Sequence, residues 1–179
     1  MTSVWPYPAY DDDGQANHLV PGLAVPAVTL TSTLGGRVNL GTRKGRAVLF
    51  VYPWTGRPGL PNPPQWDEIP GAHGSTPEAE GFRDLYASFQ DAGHEIFGLS
   101  GQGETHQREF AIRVGLPFAL LSDEAQEFGR ALALPAFATG GVTYLKRLTL
   151  LLRDGVIERA IYPVHPPHTH AASLLASLV

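Results

Sequence analysis

Apolar and polar positions divide the chain into short segments with clear periods. Residues 28–40, VTLTSTLGGRVNL, alternate around Gly35-Gly36, the pattern of a β-hairpin. Residues 46–52, RAVLFVY, are a continuous run of β-formers that stops at Pro53, as expected of a strand covered on both faces. Phe82, Leu85, Tyr86 and Phe89 recur at i, i+3, i+4 and i+7. That spacing predicts one helix from the Ser75-Thr76 entry to a stop at Gly93, with Pro77 in its first turn. Residues 95–100 and 118–121 read as strands. Between them lies a helix over 104–114, with Thr105 as its cap. Asp123 and Gln126 have capping-box spacing at the start of a helix whose inner face is Ala125, Phe128 and Leu132. Residues 135–142 are small and read as a loop. Strands over 145–152 and 156–162 follow, joined at Asp154-Gly155. Thr169 then caps a final helix that buries Ala171, Leu174, Leu175 and Leu178.

Strands alternating with helices predict an α/β fold: a mixed central β-sheet flanked by helices, with an N-terminal β-hairpin. Residues 1–21 read as an extended arm carrying Trp5, Tyr7 and Tyr10, and residues 22–179 as the domain. Residues 53–74 fit neither a helix nor an inner strand, because they hold six prolines, four glycines and two tryptophans. A loop of that length with two large aromatics is expected to lie ordered against the protein.

Composition narrows the function classes. A net charge of −4 over 179 residues makes no case for nucleic acid or an anionic membrane. No apolar run approaches the ~18 residues of a membrane span. The first residues lack a secretion signal, so the expected location is cytoplasmic. With no cysteine in the chain, disulfides and thiolate chemistry are excluded as it stands.

Chemistry concentrates where the glycine-rich stretch 71–74 enters the helix. A helix start held over a sheet favours anions, and Glu78 and Glu80 lie near its positive end. Ser75 is then either an ordinary N-cap or part of a site. Three histidines in HPPHTH (His165, His168 and His170) are a weak metal signal without a fourth convergent ligand, and no metal or other cofactor is expected.

Four strings in order carry a family resemblance: VLFVYP, GSTPEAEGFRD, LPFALLSDE and KRLTLLLRDGVI. Together they resemble the peroxiredoxins, closest to the Q-type or bacterioferritin-comigratory group, over nearly all of the chain from Gly22 onward. The resemblance implies a thioredoxin-like fold and a thiol peroxidase that reduces hydrogen peroxide or organic hydroperoxides. Its peroxidatic cysteine, in a G-C-T-P-E/Q string, falls on Ser75, and its site arginine on Arg147. Pro53, Thr55, Thr76 and Glu78 fall at substrate-binding positions. A resolving cysteine five residues on would fall on Glu80. An active form would then use an external thiol reductant, as a monomer or homodimer.

Two departures qualify that expectation. A serine hydroxyl ionises far above neutral pH, and a helix dipole worth at most about 2 kcal/mol does not change that. The family pattern P-x3-T-x2-C would put Pro at 68 and Thr at 72, where the chain has Glu68 and Ala72. Pro53 is thus displaced upstream by an inserted loop, from which Thr55 would have to fold back to supply the missing hydroxyl. Two readings follow: a one-cysteine enzyme whose thiol has been replaced by serine, which the well-kept surrounding string favours, or a natural non-catalytic relative that keeps the pocket for binding or regulation.

Overall fold

The computed structural model describes residues 4–179. Strands β1 (Thr29–Ser32) and β2 (Arg37–Asn39) form the N-terminal hairpin around Gly35-Gly36. β3 (Arg46–Val51), β4 (His94–Ser100) and β5 (Ala119–Ser122) are parallel to one another. β8 (Leu148–Arg153) runs antiparallel to β3 and pairs with β9 (Val156–Ile161). The resulting sheet has the order β2-β1-β5-β4-β3-β8-β9. β3 lies deep inside it, and every residue of β3 after Arg46 is buried, as its unbroken apolar run requires.

One face of the sheet is covered by α1 (Ser75–Asp84), α2 (Tyr86–Asp91), α3 (Glu104–Val114) and α5 (His170–Leu178). Phe82, Phe89, Phe110 and Leu174 pack there against Val48, Phe50 and Leu120. The other face buries Leu19, Val25, Phe128 and Leu132, the last two from α4 (Glu127–Ala131) and its end. Among the described residues, no helix is long and apolar enough to cross a membrane.

Several boundaries differ from the sequence reading. The helix expected from Ser75 to Gly93 is interrupted at Leu85, where φ is −105° and ψ 11°. Gly81, a weak helix former, lies one turn earlier; a side chain there would press on Ala171 of α5. The first helical residue of α3 is Glu104, and its cap position is Gly103 rather than Thr105. The Asp123–Gln126 capping box does not form. β5 runs through Ser122, Gln126 turns left-handed with φ 58°, and Asp123 instead accepts from the amides of Phe128 and Gly129 at 3.0 and 2.8 Å. The small residues 135–142 are no loop. β6 (Ala136–Thr139) and β7 (Val142–Leu145) form a separate hairpin across Gly140-Gly141, so the strand expected over 145–152 starts only at Leu148.

The inserted loop is ordered against this hairpin. Trp66 is buried beside Trp54, Phe137 and Tyr144, with ring centroids 5.1–5.7 Å away. Thr139 donates to the carbonyl of Pro64 at 2.7 Å. The loop buries its own aromatic anchor and delivers residues 71–74 to α1.

Candidate active site

At the entry to α1, Gly74 occupies the cap position with φ 114°, a left-handed backbone that a side chain disfavours. A Cβ there would collide with the Pro167 ring, and it would lie 2.9 Å from Trp5 Cζ2. Only glycine lets these rings approach. Ser75 is therefore the first helical residue, and its hydroxyl makes no capping bond. It accepts instead from Arg147 Nη2 at 3.0 Å.

Arg147 lies between β7 and β8 and is 1% exposed. Its Nη1 donates to Glu78, itself fully buried in the first turn of α1. Nη2 also meets the carbonyl of His73 at 3.2 Å and, more distantly, those of Gly71 and Ala72 at 3.4 Å. One guanidinium thus ties together the loop, the helix start and the serine. Burial pushes the Glu78 carboxyl up to about 7, against the opposing pull of Arg147. Glu78 Oε1 and Arg147 Nε are buried with no protein partner among the described residues.

The structure brings Ser75, Glu78 and Arg147 into one bonded cluster. Thr76 is half-buried beside them, and Glu80 sits half-buried on the same helix. Thr55 does not supply a hydroxyl to Ser75, because its hydrogen bonds go elsewhere. Its amide and hydroxyl both bond Gln102 Oε1 at 3.0 Å, and its carbonyl bonds Gln102 Nε2 and His106 Nε2 at 3.1 and 2.9 Å. Pro53 lines a separate cleft of about 250 Å³ with Trp54, Gln102, His106 and Tyr144. Ala72, at the position where the family pattern has threonine, is buried beneath Arg147 and supplies only its carbonyl.

The histidines of HPPHTH do not converge. His170 bonds Thr149 at 2.8 Å, and burial, with smaller effects from Arg147 and Arg159, pushes its pKa down to about 4. His168 stacks on Trp5 and His165 faces solvent. Among the described residues no serine–histidine hydrogen bond forms either. His73 Nε2 binds Asp67 at 2.6 Å, and among the described residues no bond joins that ring to Ser75.

Periodicity could not find the arm's part in the site. Tyr10 donates to the carbonyl of Arg147 at 3.0 Å, Tyr7 stacks on His73 at 3.6 Å, and Trp5 reaches Gly74. The one available signal was three aromatics in a proline-rich segment that has no core of its own.

Residues 21–178 match the Redoxin family. The putative chloroplastic peroxiredoxin Q of Oryza sativa subsp. indica is 34% identical over 159 residues, which cover 88% of this chain and 65% of the rice protein. The chain thus spans just under two thirds of the length of that relative. Among solved structures, peroxidoxin BcpB from Mycobacterium tuberculosis superposes with a TM-score of 0.71 at 25% identity, over 90% of this chain and 97% of that one. The bacterioferritin comigratory protein of Xanthomonas campestris gives 0.69 at 26% identity, over 88% and 96%. The expectation of a cytoplasmic location is corrected here, since the rice and poplar relatives are named chloroplastic.

Proposed function

The chain belongs to the Redoxin family, in its peroxiredoxin Q branch with a thioredoxin-like fold, and from that premise we propose that Ser75, Arg147 and Glu78 form a thiol-peroxidase site whose nucleophile position holds serine. The observation that carries this reading is the 3.0 Å bond from Arg147 Nη2 to Ser75 Oγ at the first residue of a helix. A cation and a helix N-terminus are the two features that lower a thiol pKa. A thiolate placed there attacks one peroxide oxygen, the O–O bond breaks, the sulfur becomes a sulfenic acid, and the departing hydroxide or alkoxide takes up a proton. Water is released from hydrogen peroxide, or an alcohol from an organic hydroperoxide.

Serine does none of this, so the chain as it stands does not turn over peroxide. Replacement of one catalytic thiol accounts for a cysteine-free chain in which GSTPEAEGFRD is otherwise kept. The substrate class is hydrogen peroxide and organic hydroperoxides; the Xanthomonas campestris relative is described by its alkyl peroxide reduction activity. Glu80 stands at the resolving position, so an active form takes its electrons from an external thiol, as a monomer or homodimer. Residues 22–179 carry the site, with the arm packed onto them through Leu19, and Thr76 belongs to its substrate side, whereas Pro53 lines the separate cleft.

The second reading, a non-catalytic binding or regulatory module, is favoured by one observation: the arm aromatics lie over the site. Ser75→Cys separates the two. The variant is expected to consume hydrogen peroxide with dithiothreitol well above the free-thiol background, while the native chain does not. Arg147→Ala in that background should raise the thiol pKa. A variant that is inactive, with a thiol titrating near the ordinary ~8.5, contradicts the peroxidase reading.

A further inference from the structure

The site loop is shaped to receive the N-terminal arm. Gly71 and Gly74 both have positive φ, at 79° and 114°. A side chain at Gly71 would collide with the Tyr10 ring, and one at Gly74 with Pro167 and Trp5. The two glycines are sockets, one on each side of His73. His73, one of the two residues between them, is covered as well, with the Tyr7 ring lying on it at 3.6 Å and an interplanar angle of 10°. Trp5 completes the cover by stacking on His168 at 5.2 Å and 17°. Under this layer Ser75 is 5% exposed.

The arm's attachment differs from that of the elements beneath it. Among the described residues, 4–10 make no backbone hydrogen bond and hold on through rings and the Tyr10 hydroxyl. Val4, Pro6, Pro8 and Ala9 face solvent. The first firm anchor is Asp13, which bonds Lys146 at 2.8 Å and Tyr162 at 2.9 Å. A segment held by few contacts, and by none of the backbone ladder, opens at low cost.

We propose that Trp5, Tyr7 and Tyr10 form a lid, hinged near Asp13, that decides by size which molecules reach position 75. With the lid down Ser75 is nearly closed off, which disfavours bulky guests more than small ones. A bulky hydroperoxide or the thiol of a protein reductant enters only after the lid lifts. The lid's role in substrate choice rests on the peroxidase reading, whereas its control of access does not.

The test uses the full-length chain carrying Ser75→Cys, with and without Trp5→Ala and Tyr7→Ala. Alkylation of the introduced thiol is followed with iodoacetamide and with pyrenyl maleimide, above the thiol pKa so that rates report access. An open state populated at about 10% or less predicts that the double substitution speeds the bulky reagent about tenfold or more, and the small one less. Bulky-reagent rates within about twofold of each other overturn the lid. A thiol whose bulky-reagent rate rises about tenfold with the double substitution, yet which consumes no peroxide, sinks the peroxidase reading and leaves the lid standing. If the thiol variant does not fold, amide exchange at 71–76 is compared between the native chain and Trp5→Ala/Tyr7→Ala; faster exchange in the latter supports the lid and unchanged exchange overturns it.

Discussion

Arg147 and Glu78 hold the site by being buried together, and that makes them unequal to mutation. Removing the arginine strands a buried carboxyl and four backbone and side-chain acceptors. Arg147→Met should therefore cost about 3–5 kcal/mol in urea unfolding. Glu78→Gln keeps the shape and should cost less. The two perturbed groups also give opposite pH signatures. Glu78 is raised from 4.5 to about 7 on folding, so its contribution is full below pH ~4.5 and is lost as pH rises through ~7. His170 is lowered from 6.5 to about 4, so its contribution is full above pH ~6.5 and is lost as pH falls toward 4. Between these limits the slopes oppose each other. Glu78→Gln should make stability rise more steeply from pH 5 to 7, and His170→Gln should make it fall. Variants that both keep the native profile would show that neither group titrates as assigned. At this scale Ser75 was legible from the GSTPE string and the resemblance. Its bond to Arg147 was not, because the two residues are 72 positions apart and local spacing carries no information about such a pair.

Among the elements, the strands with continuous apolar runs and the Asp154-Gly155 hairpin were readable because their signals are local. β6 and β7 were not. Ala136, Ala138, Gly140 and Gly141 have little intrinsic strand preference, and the hairpin packs Phe137 and Tyr144 against Trp66 of the inserted loop, far away in sequence order. Asp123 was recognised as a cap, but it reaches five and six residues ahead instead of into its own first turn. The loop and hairpin thus fold as one unit whose anchor is Trp66, 4% exposed. Trp66→Ala should cost about 3 kcal/mol or more. It should also speed amide exchange in both 63–72 and 136–145 while leaving β3 and β4 protected. Protection retained in 136–145 would mean that the hairpin stands alone.

For the whole molecule, the order of strands and helices led correctly to a mixed sheet with helices on both faces. The arm's destination was invisible, because Trp5, Tyr7 and Tyr10 have no period and their partners His168, His73 and Gly71 are distant in sequence. What the fold assembles is a helix start with a buried cation bonded to Ser75, under the aromatics of the arm; the chemistry we propose needs sulfur where Ser75 carries oxygen. The most direct measurement is intact-protein mass spectrometry of Ser75→Cys after one equivalent of hydrogen peroxide, with dimedone as trap. The account predicts a single dimedone adduct at position 75, formed faster than on a free thiol and diminished by Arg147→Ala. A thiol at position 75 that stays unmodified, or that reacts no faster than free cysteine, would contradict it.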